Sequence, residues 1–136
     1  MKKWTVLLLF LLLGSQAWAD WNFIGKTPEF TMYGDPSSIQ RNGSVAKVWV
    51  MGDYKAVQSS RFPPPLLWLN YQSVKELKEY DCANGWHRTV KTAIFAARLA
   101  KGDPLYTFDS GANFAPMVGT PIDVAQFQFG CEDGKR

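Results

Sequence analysis

A chain of 136 residues with 15 lysines and arginines against 12 acids has room for one hydrophobic core and too little excess charge for a nucleic-acid surface. Its 46% hydrophobic and 15% aromatic content is that of a folded domain rather than a disordered one. The single histidine, His87, excludes any mechanism that needs two.

The N-terminus reads as an export signal. Lys2 and Lys3 precede an uninterrupted apolar run over 6–13, and Ala17-Trp18-Ala19 has the small–any–small pattern that signal peptidase accepts. The run is far short of the roughly 20 residues needed to span a bilayer. Cleavage after Ala19 is expected, giving a signal peptide over 1–19, a single domain over 20–136 and no membrane insertion afterwards. The first cysteine is Cys82, so the cleavage point carries no lipobox cysteine. Removal of the two signal lysines brings the net charge from +3 to +1. The expected location is periplasmic or secreted.

Residues 21–23 and 30–32 alternate apolar and polar, as half-buried strands do, with Pro28 between them. Asn42-Gly43 then predicts a two-residue type I′ hairpin turn, with Arg41 facing Ser44, Gln40 facing Val45 and Ile39 facing Ala46. The second arm, 45–54, carries Ala46, Val48, Val50 and Tyr54 on one face and Val45, Lys47, Trp49 and Met51 on the other. Neither face is polar throughout, which places this strand centrally. Residues 56–66 break the pattern. Phe62, Pro63, Pro64, Pro65 and Leu66 cannot supply a sheet ladder and predict a surface loop, one able to present apolar side chains at little entropic cost.

Asn84-Gly85 repeats the hairpin signal. A two-residue turn there sets Cys82 opposite His87 and Asp81 opposite Arg88. Segments 73–80 and 89–100 are rich in helix formers, so propensity alone predicts helices where the turn predicts strands. Residues 101–104 read as another turn before a strand over 105–108. At the C-terminus, Thr120 is an N-cap, Pro121 suits the first helical position and Asp123 sits at N3, which predicts a helix over 121–129 with Ile122, Ala125 and Phe129 on one side.

Cys82 and Cys131 are the only cysteines, and an oxidising compartment leaves them one intrachain pairing. The bridge closes a loop of about 50 residues, worth roughly 4 kcal/mol by chain entropy. It would tie the terminal helix to the strand ending at Cys82. One histidine and two distant thiols do not make a metal site, and the glycines lie scattered in turns rather than in a phosphate cradle, so neither metal nor cofactor is expected. No serine near His87 sits in a nucleophile elbow, and turn chemistry explains Asp35 and Asp53 beside their glycines. The chain reads as a non-enzyme. A small hydrolase built on His87 and carboxylates is the remote alternative.

Residues 71–82, with Tyr71, Ser73, Lys75, Leu77, Glu79, Tyr80, Asp81 and Cys82, resemble the Y-x-S-x-K-x-L-x-E-Y/F-D-C core of the surface-adhesin protein E-like family. Residues 33–39 with Gly43 and Val48-Trp49-Val50 resemble that family's N-terminal hairpin. Gly102, Pro116-Met117-Val118 and Cys131 are similar to its C-terminal end. The resemblance covers nearly all of 21–131. It departs from the family in lacking the lipobox and in having Gly119-Thr120-Pro121 at the junction before the helix. It implies an α+β, mostly β fold: an antiparallel sheet of about six strands with a C-terminal helix held on one face by a disulfide, and strand rather than helix over 73–80.

It also implies a binding module acting by protein–protein contact, the family's founding member being an outer-surface lipoprotein that binds host matrix and serum proteins. No ligand-binding segment of that protein maps onto this chain. The candidate interaction surface is Phe62, Pro63, Pro64, Pro65 and Leu66 together with Trp49 and Met51. The alternative is a periplasmic structural or assembly protein that forms homodimers through sheet edges.

Overall fold

The computed structural model describes residues 20–62 and 67–134. The signal-peptide and Pro63-to-Leu66 expectations therefore lie outside the described residues. Among the described residues the elements are β1 (Asn22–Lys26), β2 (Phe30–Gly34), β3 (Gln40–Asn42), β4 (Val45–Phe62), β5 (Leu67–Asp81), β6 (Trp86–Phe95), β7 (Tyr106–Asp109), β8 (Ala115–Pro116) and α1 (Pro121–Cys131), with short 3-10 turns at Pro36–Ser38 and Arg98–Ala100. The sheet is antiparallel throughout, in the order β1-β2-β4-β5-β6-β7. Strands β2 and β3 pair with successive stretches of β4, and β7 and β8 with successive stretches of β6, so the sheet is six positions wide.

The strand reading of 73–80 holds, and β6 takes 86–95. Helix propensity loses there because Ala93, Ile94 and Phe95 bury their side chains in the sheet. The chain leaves the sheet only after Phe95, in a turn where Leu99 and Ala100 have positive φ. Two anchors hold that turn. Buried Asp53 accepts from Arg98 Nη2 at 2.7 Å and from the Leu99 amide at 2.8 Å, and buried Ser73 accepts from the Ala100 amide at 2.9 Å.

Both hairpin turns differ from expectation by a shift of register. The first closes on Asn42 paired with Val45, with Gln40 opposite Lys47 and Arg41 opposite Ala46. Its two turn residues are Gly43 and Ser44, and only Gly43 has positive φ, the type II′ arrangement rather than I′. The second turn spans four residues. Asp81 pairs with Trp86, Tyr80 with His87 and Glu79 with Arg88. The Asp81 carboxylate accepts from the Ala83 and Asn84 amides and from the Asn84 side chain, and Gly85 closes the loop by donating to the Asp81 carbonyl. This Asx-type bonding competes with the tight two-residue turn and wins. Cys82 thereby leaves the pairing with β6 while its amide still donates to the Ser44 carbonyl at 2.8 Å.

A third correction concerns 56–66. Strand β4 continues to Phe62 and pairs with β5 again from Gln58 opposite Tyr71. A bulge separates the two stretches, and Gln72 Nε2 fills it by donating to the Tyr54 carbonyl at 3.2 Å and the Lys55 carbonyl at 3.4 Å.

The core lies between the sheet and α1: Ile24, Met32, Val48, Val50, Tyr80 and Phe129, with Ile122 and Ala125 packed against it. Thr120 caps α1 as expected, and the helix runs two residues further than expected so that Cys131 is its last residue. The Cys82–Cys131 disulfide, Cα–Cα 5.7 Å, fastens that end to the sheet. Gly34 lets the helix approach closely, since a Cβ there would lie 2.2 Å from the Phe129 ring.

Candidate functional site

Helix α1 packs on the part of its sheet face that carries Val48 and Tyr80. Beyond its first turn, a groove of about 400 Å³ opens between the helix and the far half of the β4–β5 hairpin. The bulge at 54–57 is what carries that half past the end of β2. A continuous row of rings results. Phe30 lies 5.4 Å from Tyr54, Tyr54 lies 5.9 Å from Tyr71, Tyr71 lies 5.4 Å from Phe62, and Phe62 lies 6.2 Å from Phe108. The first four of these rings line the groove. Its floor is Met32, Gly52, Val74, Glu76, Thr92 and Ile94, and the helix contributes Ile122, Asp123 and Gln126.

Glu76 accepts from the Thr89 hydroxyl at 3.0 Å, and Lys78 donates to the same hydroxyl at 3.0 Å. Burial, with Tyr71 and Glu76 adding to it, raises the pKa of Tyr54 above its ordinary value. Burial likewise pushes the Tyr80 phenol well above its usual range, keeping it neutral near the Gln126 amide oxygen at 3.4 Å.

The opposite face of the sheet carries the Trp49 side of β4. There Lys75 Nζ lies 4.7 Å from the Trp49 ring centroid and 5.8 Å from that of Trp21. Burial of the ammonium lowers the Lys75 pKa, with Asp35 pulling the other way. Glu79 is 9% exposed and bridges two strands, 3.0 Å from Arg88 and 3.7 Å from Lys47. Arg88 therefore pairs across the strands with Glu79 and not with Asp81. Arg88 in turn sits 4.4 Å from the Phe114 ring centroid. The Arg98–Ala100 turn closes this face at one end and Phe114 covers Arg88 at the other.

The expected interaction residues fall in three places. Trp49 is half-buried on the open face. Met51 is fully buried, so it contributes packing there and no surface. Phe62 is half-buried in the aromatic row on the helix side, and Pro63 to Leu66 lie outside the described residues. Sequence reading missed the groove. The signal that could have found it is the alternation of β5, which puts Val74, Glu76, Lys78 and Tyr80 on the face toward the helix.

The single histidine, His87, faces a lysine. Its Nδ1 lies 3.4 Å from Lys78 Nζ, and burial, followed by the Lys78 charge, holds its pKa below the ordinary value. A triad would need a carboxylate at that nitrogen. Among the described residues no group of three or more histidine, cysteine or acidic side chains is arranged to hold a metal ion.

The model of the surface-adhesin protein E family matches residues 21–132, from the start of the sheet to the end of α1. The chain belongs to that family. Structures of Haemophilus influenzae protein E share the fold. The protein from a non-typeable strain is 16% identical over 82% of this chain and 76% of its own, with a TM-score of 0.53. A second protein E structure is 16% identical over 84% and 87%, with a TM-score of 0.54. A second crystal form is 14% identical over 81% and 92%, with a TM-score of 0.55. At that identity the likeness is one of fold. No curated protein matches the chain.

Proposed function

We propose that this member of the surface-adhesin protein E family is an exported, non-enzymatic binding module that works by protein–protein contact, adhering to host matrix or serum proteins. The family match across the whole described domain is the observation that carries this reading. Its adhesive surface is the sheet face around Trp21, Lys75 and Trp49; the segment Phe62, Pro63, Pro64, Pro65 and Leu66, whose Phe62 ring lies on the helix side, is a separate candidate contact. Two indoles clasping a lysine combine apolar area with fixed charge, the chemistry of residues that dominate interface energies. Export follows from the signal at 1–19, cut after Ala19, which delivers a single domain over 20–136 to the periplasm or beyond. No helix among the described residues is long and apolar enough to cross a membrane.

Interferometry of the purified protein against immobilised matrix and serum proteins tests the role. Saturable binding to at least one is expected, and its absence across the panel overturns the reading. N-terminal sequencing of the exported form tests the processing, with Asp20 as the expected first residue. The homodimer alternative would use the outer strands β1 and β7, and sedimentation as a strict monomer removes it.

A further inference from the structure

We propose that the groove between the first turn of α1 and the far half of the β4–β5 hairpin binds a small organic cation, a protonated amine on a short apolar stem. The site goes beyond the adhesive reading and does not depend on it.

Shape, rings and charge point the same way. The groove holds about 400 Å³, toward the lower end of small-molecule sites at roughly 300–1,000 Å³. Thr92 and Ile94 in its floor are buried, so an apolar stem seated there leaves water. Gly52 keeps the floor low, a Cβ there meeting only the Met32 methyl at 3.8 Å. The wall of Phe30, Tyr54, Tyr71 and Phe62 is aromatic, and a ring attracts a cation over its face more strongly as water is excluded.

The lining's two ionisable carboxyl groups are Glu76 in the floor and Asp123 on the helix, and no lysine, arginine or histidine lines it. The bonds these carboxylates make are to hydroxyls: Thr89 at 3.0 Å for Glu76 and Thr120 at 2.5 Å for Asp123. Lys78 shares the Thr89 hydroxyl with Glu76 but stands outside the lining. An anion would meet two like charges here, and a purely apolar guest would strip water from them without replacing it. A cation with an apolar stem satisfies both.

Titration of the 15N-labelled protein with n-hexylammonium chloride, and with 1-hexanol as its uncharged counterpart, tests the site. The amides of Gly52, Thr92, Ile94 and Gln126 should shift saturably with the amine, and hexanol should bind about fivefold more weakly or worse. Glu76→Gln keeps the bond from Thr89 and should weaken the amine about fivefold while leaving hexanol unchanged. Tyr54→Leu, which keeps an apolar side chain and removes the ring, should weaken the amine more than hexanol. Equal affinity for amine and alcohol, shifts centred on Trp49 and Lys75, or no saturation would overturn the proposal. Tighter binding of Nα-acetyl-lysine N-methylamide than of hexylammonium would overturn the small-molecule assignment in favour of a partner's lysine. Because the shifts report the groove directly, its failure and failure of adhesion to matrix proteins are separate results.

Discussion

The Phe129 ring occupies the space where a side chain at position 34 would stand, so these two residues stabilise the fold as a unit. Phe129→Ala should cost roughly 3–5 kcal/mol, as for other fully buried aromatics. Gly34→Ala should cost about 1–3 kcal/mol by overpacking, and much less once Phe129 is already alanine. Chemical denaturation of the two single variants and the double variant measures this coupling, and additive losses would contradict it. His87 makes a second prediction. Its folded pKa is held below its ordinary value of 6.5 by burial and by Lys78. The unfolded chain therefore binds more protons than the folded one just below pH 6.5, and this residue's share of stability falls as pH drops through that window. An NMR titration of the imidazole should give a midpoint below that of a model peptide, moving up in Lys78→Ala; a midpoint at or above the peptide value would contradict the burial.

At the scale of elements, the helix and its tether were the most legible parts of the sequence. Thr120, Pro121 and Asp123 are a local code that tertiary contacts leave alone, and two cysteines admit one intrachain pairing. The hairpins were legible as hairpins but not in register, because Asp81 recruits its own turn through bonds that a dipeptide signal does not contain. Residues 56–62 read as loop because Ser59, Ser60 and Arg61 carry no strand pattern. They are held as strand by pairing with β5 across a bulge, a long-range effect. Replacing Cys82 and Cys131 together by serine should lower stability by roughly 4 kcal/mol, since the bridge closes a long loop. Hydrogen exchange should then rise first at Phe129 and Gly130 in the last turn of α1. Unchanged protection there would show that packing alone holds the helix.

Across the molecule, the sheet separates two surfaces of different chemistry. The helix side presents rings and carboxylates with Lys78 and His87 beside them, and the other side presents indoles, lysines and an arginine around buried Glu79. Sequence alternation named Trp49 and Met51 as one face but could not tell which of them the Arg98–Ala100 end would bury, because that turn depends on Asp53 and Ser73 reaching it from two strands. The groove was invisible for a similar reason, since its walls come from β2, β4, β5, β6 and α1. The central claim is that the open face is adhesive. Its most direct test is the affinity of Trp49→Ala for whichever immobilised matrix or serum protein the wild type binds. A drop of about tenfold or more, with the thermal midpoint retained, is the expected result for an aromatic anchor; an unchanged affinity would contradict it.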